Sequence, residues 1–277
     1  MKKIKASLPI RQTKKGKPVK KNIKIGALIS GSGTNLQAII DACENEKIDG
    51  KMMFVGSDNP EAKGLERADR HNIPKFVVDY TRIIKRDQKE PLPDDYNATE
   101  IFEKQRIFSK SSKDRQKVMQ LLDSRILAER ALLDQIAKYE FDLLVLAGFM
   151  RNLTPYFIDR INTDKTLPRI MNIHPALLPA FPGTDGYGDT FKYGCKVGGC
   201  TVHFIDYGED SGPIIGQRCF EIKPQDTEDS IRKKGLALEW ELYPACIQLF
   251  AEDRLKIQVN PFKQNSLWKN RMKVVIQ

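Results

Sequence analysis

IGALISGSGTNLQAIIDAC, residues 25–43, decides the fold. Ile25 to Ile29 is an apolar run, Ser30 to Asn35 form a glycine turn, and Leu36, Ile39, Ile40 and Cys43 then recur at helical spacing. A strand that turns straight into a helix opens a βαβ unit. Working outward, Met52 to Val55 reads as a second strand, Ala62 to His71 as a helix and Phe76 to Val78 as a third strand. That alternation predicts an α/β fold whose sheet is parallel, with right-handed crossovers.

Residues 81–123 interrupt the rhythm. KRDQKEPLPDDYN (85–97) and SKSSKDRQK (109–117) carry dense charge, Pro and Ser around brief apolar patches such as Ile101, Phe102 and Ile107. This is the pattern of a solvated surface insertion with one or two helices, the alternative being a lid or an oligomer contact. Beyond it the βα pattern resumes. Ile126 to Tyr139 is helical in period, Asp142 to Ala147 is a continuous apolar strand expected to be buried on both faces, and Ile170 to Ile173 is another strand. It runs into PALLPAFPG (175–183), where three prolines forbid regular structure. Strands at Cys200 to Asp206 and Ile214 to Ile222 and a helix from about Glu228 to Phe250 follow. The expected organisation is a basic, disordered tail over residues 1–22, one domain over 23–257, and a peripheral extension over 258–277.

Charge and composition narrow the function classes. The chain's 277 residues are 40% hydrophobic and 30% charged, an ordinary soluble balance, and its longest apolar stretch, Leu143 to Met150, is far shorter than the ~20 residues that span a bilayer. A net charge of +10 suggests nucleic acid, but ten of the 46 Lys and Arg lie in residues 1–24, which hold no acid. The rest balances at 36 cations against 36 anions, so the folded body has no bias toward polyanions. The tail also lacks the apolar core of a secretory signal. Five cysteines, an odd number, fit free thiols in a reducing cytoplasm.

Several residues could carry chemistry. Gly33, Thr34 and Asn35 stand where a strand meets a helix, so their backbone N–H groups and the positive helix end would face an anion. A dinucleotide loop would need glycine at Leu36, and a P-loop would need Gly-Lys-Ser/Thr; a single phosphate fits better. Of the three histidines, His71 suits a helix cap, while His174 and His203 lie at or in strands. Asn172, two residues before His174, projects from the same side of an extended chain, so an amide and an imidazole can meet one carbonyl. A carboxylate such as Asp210 brought beside His174 would favour its protonated form. Together these are the parts for adding a nucleophile to a carbonyl. Cys195, Cys200 and His203 contain no Cys-x-x-Cys pair, and no metal is expected. No G-x-S-x-G elbow supports a serine nucleophile.

ISGSGTNLQAIIDAC (29–43), SRILAER (124–130), VLAGFMRNLTP (145–155), MNIHPALLPAFPG (171–183), TVHFIDYGEDSGPII (201–215) and EWELYP (239–244) together resemble the glycinamide ribonucleotide formyltransferase family. The likeness spans residues 23–80 and 124 to about 257. It implies a Rossmann-like formyltransferase fold, a mostly parallel, twisted seven-stranded sheet flanked by helices. It also implies 10-formyltetrahydrofolate as co-substrate, without metal, and glycinamide ribonucleotide as acceptor. By that resemblance Gly33, Thr34 and Asn35 hold the nucleotide phosphate and Glu239 the glycinamide. Arg125, Met150, Arg151, Asn152 and Leu153 line the formyl-folate site, and Asn172, His174 and Asp210 form the catalytic trio. GTDGYGDTFKYG (183–194) departs from the helix start expected there, and position 152 is Asn where an aliphatic residue is usual.

Three other readings compete. A formyltetrahydrofolate deformylase would use the same trio on water, but the SGSGTN loop is of nucleotide type and no regulatory domain is expected ahead of it. A methionyl-tRNA formyltransferase would need a tRNA-binding barrel that the trailing residues do not accommodate. A non-catalytic protein would use the basic tail on nucleic acid, with strongly salt-dependent binding. The expected partners are the two small substrates, with neither nucleic acid nor membrane, and a homodimer is compatible with the insertion.

Overall fold

The apolar run that opens the domain becomes β1 (Ile23–Ile29), and the helical pattern after its glycine turn becomes α1 (Thr34–Glu44). A computed structural model describes residues 22–85, 91–111, 114–164, 166–264 and 267–277. The expected tail, up to residue 21, lies outside the described residues. In chain order there follow β2 (Gly50–Ser57), α2 (Gly64–Arg70), β3 (Lys75–Val77), α3 (Tyr80–Lys85), α4 (Ala98–Lys104), α5 (Arg115–Ile136) and β4 (Leu143–Leu146). The second half comprises α6 (Pro155–Ile161), β5 (Ile170–His174), α7 (Gly186–Lys192), β6 (Val197–Phe204), β7 (Ile214–Glu221), α8 (Glu228–Ala251), β8 (Leu255–Gln264) and β9 (Leu267–Ile276).

Seven strands form one sheet in the order β3-β2-β1-β4-β5-β6-β7. The five from β3 to β5 are parallel, while β6 runs antiparallel to β5 and β7 to β6. β1 is the pivot, because the chain builds outward from it to β3 and then returns to its other side with β4. Helices cover both faces. Leu36 and Ile39 of α1 and Leu242 and Tyr243 of α8 pack on Ile25, Ala27, Val145 and Met171; Ala128 and Leu132 of α5 and Phe157 of α6 pack on Leu28, Phe54 and Leu144. Each Leu, Ile, Val, Phe or Met side chain among them, fully buried, contributes roughly 1.5–3 kcal/mol.

Three segments carry more structure than their sequence suggests. The 81–123 segment is no mere solvated excursion. α5 reaches back to Arg115, well before Ile126, and Ile101, Phe102, Val118 and Leu122 pack with Ile126 and Tyr156 in an apolar cluster of their own. Val118, Leu122 and Ile126 sit four residues apart, one stripe of a helix, and the charges between them had hidden it. The segment expected to be peripheral belongs to a two-stranded antiparallel ribbon, β8 and β9, whose first residue, Leu255, is buried in the core. GTDGYGDTFKYG does supply a helix start: Asp185 caps α7 by accepting from the Gly188 amide. Among the described residues no helix is long and apolar enough to cross a membrane.

Candidate active site

The loops after β1 and β4 leave the sheet where the strand order reverses, which is where open α/β sheets form ligand crevices. They are tied together, since Ser30 N donates to Gly148 O (2.9 Å) and Met150 N to Ser30 Oγ (2.8 Å). Here a cleft of about 500 Å³ crosses the top of the sheet. Ser32, Asn35, Arg232, Leu236 and Glu239 line it on the α1/α8 side; Leu146, Gly148 to Leu153 and Ile205 line it on the α5/α6 side. Asn172, His174 and Asp210 lie between. A larger open groove of about 930 Å³ runs between α1 and α8, but of the expected site residues only Thr34 borders it.

The loop between β1 and α1, where an anion site was expected, owes its shape to Gly33, the residue before α1, whose φ of 68° lies in the left-handed region. A Cβ there would stand 2.7 Å from Gly64 Cα, so any other residue meets strain and a clash at once. The first-turn amides that follow have no intrahelical acceptor and point away from the helix body. Arg67 Nε donates to Ser32 O (3.0 Å), adding a cation beside this loop that the sequence reading overlooked.

Strand alternation sets the centre. Met171 and Ile173 pack under α1 and α8, so Asn172 and His174 project from the opposite face, across from His203 and Thr201 of β6. The β6–β7 connection folds over that face and brings Asp210 in, at a φ of 46°. Asp210 Oδ2 lies 3.2 Å from His174 Nδ1 and accepts from Gly183 N (2.8 Å). The other ring nitrogen, His174 Nε2, is 2.7 Å from Phe181 O. Two oxygen acceptors facing one imidazole are satisfied together only when both nitrogens carry protons.

His203 of β6 is fully buried behind this group, and its Nε2 is 3.7 Å from Asp210 Oδ1. Burial depresses its basicity, partly countered by the Asp210 charge, so the ring is neutral. Its Nδ1 faces Phe204 O at 3.0 Å and therefore bears the proton; Nε2 is left to accept from Asn172 Nδ2 at 3.3 Å. One amide hydrogen of Asn172 is thus fixed on His203, and the other is free to face the cleft.

On the α1/α8 side, Glu239 accepts from Asn35 Nδ2 (2.7 Å) and from Tyr187 Oη (2.6 Å). Burial pushes its carboxyl above the usual range, and these two hydrogen bonds act against that rise. Asn35 Oδ1 is buried with no partner among the described residues, an open acceptor at the cleft. On the other side, Met150 is exposed and Leu153 buried; Arg151 Nε pairs with Asp58 Oδ2 (2.5 Å), and Asn152 Nδ2 donates to Glu209 Oε1 (3.0 Å). Arg125 stands behind this lining. Its Nη1 donates to Asn152 O (3.2 Å), and its guanidinium lies 5.0 Å from the centre of the Phe108 ring. Glu129, which the sequence reading did not single out, accepts from both Thr154 N (2.7 Å) and Thr154 Oγ1 (2.5 Å) and so anchors the end of the same loop.

Cys195, Cys200 and His203 do not converge as a ligand set. Among the described residues one group with metal-ligand spacing occurs, the surface trio Asp41, Glu44 and His71, where His71 Nδ1 meets Glu44 Oε1 at 2.6 Å. His71 ends α2, as its sequence context suggested.

Known proteins resemble both the sequence and this structure. The profile of the formyl transferase family matches residues 23–247. The phosphoribosylglycinamide formyltransferase of Bacillus subtilis is 32% identical over 225 residues, 81% of this chain and 93% of that protein. Its counterpart from Escherichia coli is 33% identical over 238 residues, 86% of this chain and 92% of that one. The crystal structure of glycinamide ribonucleotide transformylase 1 from Symbiobacterium toebii superposes with a TM-score of 0.66 at 34% identity, covering 92% of this chain and 93% of that one. A formyltetrahydrofolate deformylase from Pseudomonas syringae, 18% identical, has a TM-score of 0.63 over 92% of this chain and 66% of that one, and so shares the fold.

Proposed function

We propose the function from one premise: the chain belongs to the formyl transferase family, and the relatives that it covers almost end to end are phosphoribosylglycinamide formyltransferases. On that reading it transfers the formyl group of 10-formyltetrahydrofolate to the amine of glycinamide ribonucleotide, a step of purine biosynthesis. The observation that carries the reading is one continuous cleft, with an anion loop on one side, an apolar wall on the other, and Asn172, His174 and Asp210 between them.

The nucleotide phosphate lies on the amides of Gly33, Thr34 and Asn35, and Glu239 receives the glycinamide. The formyl-folate occupies the α5/α6 side along Met150 to Leu153, with Arg125 supporting Asn152 from behind. The amine attacks the formyl carbon directly, giving a tetrahedral oxyanion. The bond from carbon to N10 then breaks as N10 takes up a proton and the amine nitrogen gives one away. Asn172 donates its free amide hydrogen to the oxyanion, held in aim by His203. His174 supplies the second donor once the 175–183 loop turns the Phe181 carbonyl away from Nε2. Asp210 orients His174 through Nδ1 and relays protons through water. Holding both substrates in register is itself a large part of such catalysis.

The free cysteines fit a reducing compartment, and on that ground we assign the reaction to the cytoplasm. The test is the absorbance of the folate product, followed with and without glycinamide ribonucleotide. Product that forms only with the nucleotide supports the reading; equal formation without it, with release of formate, replaces it with deformylation.

A further inference from the structure

The insertion reaches the cleft through one turn. α4 ends at Gln105, and the Gln105 side chain, almost wholly buried, templates the residues that follow. Its Oε1 accepts from Ile107 N (2.9 Å) and Phe108 N (2.7 Å), and its Nε2 donates to Phe108 O (3.2 Å). The turn is bound to both segments that flank the α5/α6 side of the cleft. Arg106 N donates to Tyr207 O (2.8 Å), and Arg106 Nη2 pairs with Asp206 Oδ2 (2.6 Å), which fixes it to the β6–β7 connection. Phe108 lies against the Arg125 guanidinium, which holds Asn152 O, and that fixes it to the loop after β4. Between these two anchors Ile107 is the insertion's residue in the cleft lining.

We propose that the turn Gln105–Phe108 is a recognition wall for the formyl-folate co-substrate, with Ile107 as its contact and Gln105 as its positioning residue. The proposal rests on the formyl-transfer reading above. A molecule whose formyl group lies at Asn172 and His174 extends to the α5/α6 side, where Leu146, Phe149, Leu153 and Ile205 present hydrocarbon. Ile107 closes that apolar surface from the outside, so it touches the aromatic part of the folate and nothing of the nucleotide. A side chain carried by an insertion can thus set the preference among folates without altering the anion loop or the catalytic trio.

The experiment compares wild type, Ile107→Ala and Ile107→Leu by steady-state kinetics in both substrates and by fluorescence titration with tetrahydrofolate. Ile107→Ala is expected to raise the KM for formyl-folate and the Kd for tetrahydrofolate about tenfold, with the KM for glycinamide ribonucleotide moving less than about twofold. Ile107→Leu, which keeps the hydrocarbon, is expected to restore both folate constants. Folate constants within about twofold of wild type in Ile107→Ala overturn the proposal, as does an equal rise in both KM values, the mark of a turn that only supports the fold. If wild type transfers no formyl group, it is the functional reading that fails, and the tetrahydrofolate titration still reports on the wall.

Discussion

Replacing Glu129 by Gln should flatten the dependence of stability on pH. Glu129 is completely buried at the end of the loop after β4, and burial lifts its carboxyl from 4.5 to about 7 against the opposing pull of the Thr154 hydrogen bonds. Below pH 4.5 the group is protonated in both the folded and unfolded chains and has no effect. Between 4.5 and 7 the unfolded chain releases its proton first, so rising pH favours unfolding. The loss grows to about 3 kcal/mol and levels off above pH 7. Glutamine matches the shape, accepting from Thr154 N and donating to Thr154 Oγ1, but it has no proton to release. Urea unfolding of both proteins from pH 4.5 to 8.5 isolates this one group, because every other titration cancels in the difference. The variant should gain on wild type by about 3 kcal/mol across that range. A difference that stays constant with pH would mean that Glu129 is ionised throughout and that the Thr154 clasp outweighs its burial.

Three further outcomes are expected. His174→Ala should lower kcat roughly 100- to 1,000-fold while nucleotide affinity, measured by calorimetry, stays near wild type; survival of most of kcat counts against the proposed chemistry. Gly33→Ala should cost about 1–2 kcal/mol in a thermal melt and raise the KM for the nucleotide, because the left-handed backbone and the nearby Gly64 leave a methyl group no room. Gly235→Ala reverses a general rule: in most helices it would stabilise by up to about 1 kcal/mol, but here the new Cβ would lie 2.0 Å from Tyr187 Cζ, so the urea midpoint should fall.

Elements whose burial follows from their own period could be read from the sequence. β1, α1, β4 and α8 each carry an uninterrupted apolar run or stripe, and their observed bounds lie within a few residues of the expected ones. Where local charge competed with a long-range partner, the reading failed. α5 begins among Arg115, Gln116 and Lys117, whose side chains face water while Val118 and Leu122 meet Ile101 and Phe102, and nothing local announces that meeting. The closing ribbon was missed because the strand pairing that orders it, between Lys256 and Val275 for example, is a relation between distant residues.

The site divides along the same line. Asn172 and His174 could be paired from strand alternation alone, a property of one strand. That His203 stands opposite Asn172 depends instead on the register of an antiparallel neighbour, and in a hairpin-built edge a slip of one residue would turn His203 to the other face and bring Val202 or Phe204 in its place. The direction of the Asn172 amide inherits that dependence. A histidine that is buried, neutral and already donating through Nδ1 can only accept at Nε2, so it draws the amide nitrogen, not the oxygen, toward itself and leaves that nitrogen a second hydrogen to donate where a carbonyl would be attacked. An oxygen there would repel the developing negative charge. On the proposed reading, the chemical sense of the centre is therefore set by a residue outside the trio, through burial and strand register, neither of which is written in any short motif.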